Sequence, residues 1–185
     1  MAELTRHSYA GLLSKVIAVL ERRNKPFHAV EWGPGRNSDI ILASKLCVSL
    51  LSIEGQLEWY KHYEYLENDD RVDLRFIPIP IKYDKDCKYV VTPTGEDMLY
   101  DLMFVDGQAY RIECLALARR ILKPDGFAML HDWPTPYDSI DGPGDAPGSR
   151  GYNIAVDKFK FKYLDKASKT SVVSDTFNVS ASIKG

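Results

Sequence analysis

The stretch His28-Ala29-Val30-Glu31-Trp32-Gly33-Pro34-Gly35-Arg36-Asn37-Ser38-Asp39 constrains the fold most. It reads as a short apolar strand ending in an acid, then a glycine-rich turn, then a helix start. In an α/β protein such a junction lies at the carboxyl edge of the sheet, where small ligands bind. Glycines there let backbone N–H groups approach a ligand, because no Cβ intervenes. The pattern recurs along the chain. Three strands end in the acids Glu31, Glu54 and Asp106, and a fourth ends in His131-Asp132. In a parallel sheet those ends share one edge, so residues distant in sequence converge in one crevice.

Apolar spacing over residues 4–23 predicts a first helix, with Pro26 just beyond it. Val30 to Trp32 close the first strand, and Asn37 or Ser38 is placed to cap the second helix. Strands are expected over residues 48–53, 72–77, 101–107 and 127–130, and helices over 57–66 and 111–122. Pro78 and Pro80 end the third strand. Residues 81–100 show no regular pattern, and 123–126 read as a turn. Residues 134–151 are rich in Pro, Gly and acids and form a candidate lid. Residues 153–159 suggest a short helix, and 161–165 with 171–183 a terminal β-hairpin. Strand–helix alternation implies a mostly parallel sheet.

A length of 185 residues suits one domain spanning 1–185. A formal net charge of -2 lacks the basic surplus of a dedicated nucleic-acid binder. Cys47, Cys87 and Cys114 form no CxxC pair and no zinc spacing, which suits buried thiols in a reducing compartment. No apolar run has the length of a membrane span, and no secretion signal is legible, so Asn178-Val179-Ser180 is a chance glycosylation pattern. The expected setting is cytoplasmic and soluble, with a small-molecule substrate, no nucleic acid or membrane partner, and room for a homo-oligomer.

Glu54, at the end of the second strand, is placed to accept both hydroxyls of a ribose; a solvated capping acid beside Gly55 is the competing reading. The dinucleotide fingerprint G-x-G-x-x-G fits at Gly33 and Gly35, but position 38 is Ser. Glu31 would repel a pyrophosphate and suit a cationic amino-acid ligand.

Glu31-Trp32-Gly33-Pro34-Gly35 resembles the E-x-G-x-G motif of class I S-adenosylmethionine-dependent methyltransferases. The third glycine common in that motif is Asn37 here. Asp101-Leu102-Met103-Phe104-Val105-Asp106-Gly107 resembles the family's fourth-strand motif, and Leu122-Lys123-Pro124-Asp125-Gly126-Phe127 its L-K-P-G-G turn. The resemblance implies an α/β fold: a three-layer αβα sandwich on a mostly parallel seven-stranded sheet with a C-terminal antiparallel hairpin. It implies S-adenosylmethionine as cofactor, bound by Glu31, Gly33, Gly35, Glu54, Gly55 and Asp106, with adenine near residues 78–81.

In the family's small-molecule O-methyltransferases similar to catechol methyltransferase, three groups at the fourth and fifth strand ends hold Mg²⁺. Asp106, His131 and Asp132 take those positions here. The resemblance therefore implies these three as the catalytic edge, with Mg²⁺ or Mn²⁺ bound, or with His131 as general base without metal. Hydrogen bonding to loop backbone is the third reading for His131 and Asp132. Arg111 opens a helix or faces the crevice, and an ion pair with a neighbouring acid is expected. Trp59, Tyr60, Tyr63 and Tyr65 are expected to pack at a helix–sheet or subunit face. The expected function is methyl transfer to a small acceptor, through oxygen. The alternatives are an inactive methyltransferase-like scaffold and an NAD-type oxidoreductase.

Overall fold

A computed structural model describes residues 9–131, 156, 159–165 and 170–175. Helix α1 (Tyr9–Arg22) leads into β1 (Phe27–Trp32), α2 (Arg36–Leu42) and β2 (Cys47–Glu54). Then come α3 (Leu57–Tyr63), a 3₁₀ turn (Glu64–Asn68) and β3 (Val72–Phe76). Helix α4 (Lys88–Val91) and a second 3₁₀ turn (Thr92–Gly95) precede β4 (Tyr100–Val105), α5 (Arg111–Ile121) and β5 (Leu122–Leu130). Strands β6 (Phe161–Asp165) and β7 (Thr170–Ser174) complete the sheet.

The sheet order is β3-β2-β1-β4-β5-β7-β6. Strands β1 to β5 run parallel, and β7 is antiparallel to both β5 and β6. Alternate residues of the central strands serve opposite faces, as a pleated strand requires. Ala29, Leu50, Leu102, Phe104 and Met129 pack with Leu13, Val16 and Leu20 of α1 and Ile41 of α2. Val30, Ile53, Met103, Val105 and Leu130 pack with Tyr89 of α4 and Leu115 and Ile121 of α5. Burial on both faces explains why these strands are near-continuous apolar runs. The result is the expected three-layer α/β sandwich. Among the described residues no helix is long and apolar enough to cross a membrane.

Several local expectations change. Gly35, not Asn37 or Ser38, is the N-cap residue of α2, and Ser38 serves the cap from the third helical position, its Oγ accepting the Gly35 N–H at 3.1 Å. The irregular 81–100 segment contains α4, a single helical turn that carries the fully buried Tyr89. Four residues are too few to show a helical period. Residues 123–126 belong to the start of β5: Leu122 pairs with Tyr100, and the register shifts before Phe127 pairs with Leu102. There, Lys123 Nζ donates to Asp101 at 2.8 Å, and Arg23 pairs with Asp125 at 3.2 Å. The Asp125 departure from the motif thus ties the turn after α1 to β5 at the amino edge of the sheet. Residues 1–8, the 134–151 segment and most of the 153–159 and 171–183 segments lie outside the described residues.

Arg71, just before β3, closes the edge beyond α2. Its guanidinium donates to Leu42 O (3.0 Å), Ser44 O (3.1 Å) and Cys47 O (3.3 Å), and pairs with Asp69 at 2.6 Å. The hydrogen bonds from Arg71 hold the Asp69 carboxyl down at about 2. Arg71→Ala leaves three carbonyls to rebuild their hydrogen bonds with water. The expected loss is about 2 kcal/mol, read in thermal denaturation as a fall in Tm of roughly 4–8 °C.

Candidate functional site

The sheet order reverses between β1 and β4, so the chain segments leaving those strands diverge and open a crevice at the carboxyl edge. Gly33 starts the turn with φ 81, a left-handed conformation that favours glycine. Its N–H donates to Ile53 O at 3.0 Å, and Trp32 O accepts from Asp106 N–H at 2.9 Å. A Cβ at Gly33 would lie 2.8 Å from the backbone carbonyl carbon and oxygen of Asp106. The β1 turn therefore rests directly on the main chain at the end of β4.

Glu31 is fully buried beneath this turn. One carboxylate oxygen accepts from Ser38 Oγ at 2.5 Å and Ser52 Oγ at 2.8 Å. The other accepts from Asn37 Nδ2 at 2.6 Å. Asn37 Nδ2 also donates to Gly33 O (3.1 Å), and Gly35 N–H donates to Ser38 Oγ (3.1 Å). Thus the two residues that break the glycine fingerprints, Asn37 and Ser38, tie the turn to Glu31. Burial pushes the Glu31 carboxyl up to about 7, and the three side-chain hydrogen bonds oppose that rise. Glu31 underlies the turn; it is not part of the cleft wall.

A cleft of about 410 Å³ lies above. Gly33, Gly35, Glu54 and Asp106 line it, as do Tyr9, Trp59, Tyr63 and Arg111. Glu54 is largely buried at the end of β2, and its Oε1 accepts the Gln56 N–H at 2.7 Å. Burial raises its pKa, against the pull of the Gln56 and Gly55 amides. Gly55 instead lies under Ile79 and Tyr89: a Cβ there would come within 2.5 Å of Ile79 Cγ1. Residues 78–81 do not line the cleft, and Ile81 is 94% exposed.

The aromatic expectation for α3 holds in part. Tyr60 packs on Phe76 of β3 with ring centroids 5.5 Å apart, a helix–sheet contact, while no side chain of α3 is fully buried, so Trp59 and Tyr63 do not sit in the core. Instead Trp59 and Tyr63 stand at the cleft, their rings stacked at 6.0 Å and 15°. Aromatic residues at helical spacing usually signal a core face, which hid this role in the sequence.

On the other side, Asp106 and Arg111 form an ion pair at 3.6 Å. Arg111 also donates to Gly107 O (2.5 Å) and His131 O (3.2 Å), so it both opens α5 and braces the cleft. His131 Nδ1 hydrogen-bonds Thr170 Oγ1 at 3.0 Å, and its ring meets Tyr9 edge-on at 4.5 Å. The Tyr9 hydroxyl reaches Asn37 Oδ1 at 3.3 Å. One contact chain therefore runs from the glycine turn to His131. Asp132 lies outside the described residues. Among the described residues no three His, Cys, Asp or Glu side chains are placed to hold a metal ion. Of the expected metal trio, Asp106 faces the Arg111 guanidinium and His131 bonds Thr170, while Asp132 is not described.

No protein-family model matches the chain, and no curated protein matches it. Solved structures do. Spermidine synthase in complex with the transition-state analogue AdoDATO aligns at 12% identity over 96% of this chain, with a TM-score of 0.64. Spermidine synthase from Thermotoga maritima aligns at 12% identity over 96% of this chain, with a TM-score of 0.63. This chain spans 62% of the length of each. The O-methyltransferase from Bacillus cereus, in complex with SAH, aligns at 14% identity over 94% of this chain and 85% of its own, with a TM-score of 0.60. The chain thus has the Rossmann-like fold of class I S-adenosylmethionine-dependent methyltransferases.

Proposed function

We propose that this protein transfers the methyl group of S-adenosylmethionine to an oxygen of a small-molecule acceptor. One observation carries the reading: the glycine turn, Glu54 and Asp106 converge on a single cleft at the sheet's switch point. The O-methyltransferase neighbour that holds SAH supports it. In this reading the backbone of Gly33 and Gly35 meets the amino-acid end of the donor, and Glu54 accepts the ribose hydroxyls. The buried Glu31 supports a positively charged donor from below, where a pyrophosphate would be repelled; this disfavours the NAD alternative.

Transfer requires an in-line approach of the acceptor oxygen to the methyl carbon. The C–S bond breaks as the C–O bond forms, and the donor leaves as a neutral thioether. Positioning carries much of such a reaction. In this reading the His131 imidazole, which Thr170 hydrogen-bonds and which touches the cleft-lining Tyr9, takes the acceptor's hydroxyl proton. Arg111 supplies the positive charge beside Asp106 that a divalent ion would otherwise bring. Asp132 is assigned to the same edge on its sequence position alone. The proposed setting is the cytoplasm.

Calorimetric titration with S-adenosylhomocysteine tests the reading. Binding in the micromolar range is expected, with no heat from NAD(H). Glu54→Ala is expected to weaken binding about 10- to 100-fold, the loss of one or two hydrogen bonds to a charged group. Absence of binding at millimolar S-adenosylhomocysteine would sink the proposal. Binding without turnover on any hydroxylated acceptor would favour the inactive scaffold.

A further inference from the structure

We infer that Tyr63, backed by Trp59, is a cation-recognising wall of the cleft that selects the positively charged sulfonium donor over the neutral thioether it leaves behind. The inference rests on the donor proposed above and adds the residues that read its charge. No side chain of α3 is fully buried: Tyr63 is half-buried, and Trp59 stays 49% exposed while lining the cleft. Core packing therefore does not account for two stacked rings at this position.

Their location points to the donor's charged end. A Cβ at Gly35 would lie 3.5 Å from the Tyr63 hydroxyl and 3.9 Å from its Cζ, so the phenol end of this ring reaches the glycine turn. The surroundings are electronegative. Glu54 and Asp106 line the same cleft, and Glu31 lies beneath the turn. Burial, and then the fields of Asp39, Glu54, Asp106 and Glu31, push the Tyr63 phenol up. Of the two cations in the wall, Arg111 is directed at Asp106 and two backbone carbonyls, and Arg36 is solvent-exposed at the start of α2. Aromatic rings and carboxylates lining one cleft together favour a cation, worth about 3- to 30-fold in affinity. Methyl transfer removes the donor's charge, so the same wall lets the product go more readily than the donor.

The test compares two ligands that differ by one methyl group and one charge. Binding of S-adenosylmethionine and S-adenosylhomocysteine is measured for the wild type, Tyr63→Leu, Trp59→Leu and Tyr63→Phe. Tyr63→Leu is expected to weaken the sulfonium ligand about 10-fold and the thioether less than about 2-fold. Trp59→Leu follows the same direction, and Tyr63→Phe keeps the wild-type ratio because the ring remains. Equal loss of both ligands in the Leu variants, or no loss of either, overturns the inference while leaving the proposed donor intact. A wild type that binds neither ligand overturns both. Because α3 is exposed, the variants are expected to fold, and circular dichroism checks this; if one fails, the other Leu variant carries the comparison.

Discussion

Gly33→Ala lowers stability by about 3 kcal/mol and abolishes donor binding. Two costs add. The left-handed backbone at φ 81 penalises any Cβ by roughly 1 kcal/mol. The new Cβ also meets the backbone of Asp106 at 2.8 Å and of Gly107 at 2.9 Å. Main chain cannot swing aside as a flexible side chain does, so β1 and β4 must separate locally, at a cost of the order seen for overpacked cores, about 1–3 kcal/mol. The expected fall in Tm is roughly 6–12 °C. Gly11→Ala is the control: nothing lies within 4 Å of a Cβ there, in the middle of α1. It is expected to stabilise the protein by about 0.5–1 kcal/mol. If Gly33→Ala melts with the wild type and still binds S-adenosylhomocysteine, the abutment of turn and β4 has no energetic weight.

The second large effect is a pH dependence centred on Glu31. Its carboxyl is raised from 4.5 to about 7 in the folded protein, chiefly by burial. Between those values the folded chain holds more protons than the unfolded one, so stability falls as pH rises. Below about 4.5 the group is protonated in both states and contributes no difference. Above about 7 the full cost of an ionised, desolvated carboxylate is present, of the order of 3 kcal/mol at about 1.4 kcal/mol per pH unit. Burial shifts Glu54 in the same direction and adds to the slope. Comparison of wild type with Glu31→Gln isolates the Glu31 part: the wild-type Tm is expected to drop by roughly 6–12 °C more across pH 5 to 8. Parallel curves for the two proteins would contradict it. A positively charged donor favours the ionised form, so its affinity is expected to rise with pH across the same window. Tight binding and maximal stability are thus set at opposite ends of the neutral range.

The fold was legible because both faces of the sheet are covered. The apolar runs around Val30, Leu50 and Phe104, each closed by a polar group, could belong only to buried parallel strands. The same logic brought Glu54 and Asp106 to the lining of one cleft. Side-chain reach was less legible. An acid at a strand end reads alike whether it lines the cavity, as Glu54 does, or lies beneath it, as Glu31 does; the difference comes from Asn37, Ser38 and Ser52 closing over it. The place of Trp59 and Tyr63 at the cleft was not legible because helical aromatic spacing does not reveal which side of the helix meets the sheet, where Tyr60 packs on Phe76. Helix α4 was missed because one turn carries no period. Its Tyr89 is placed by a contact across 57 positions, where Trp32 Nε1 donates to the Tyr89 carbonyl at 2.8 Å.

The seat of the β1 turn on β4 has a consequence for how such a protein diversifies. The two halves of the cleft are spaced by backbone against backbone, at Gly33 and Asp106, and not by exchangeable side chains. The distance between what gives and what receives is therefore inherited with the fold. Changes of acceptor have to arise from residues that decorate the far rim, while the gap itself stays constant. A designer can redraw the rim outside His131 and Tyr9 freely, but a single methyl group added at position 33 would alter the span for every acceptor at once.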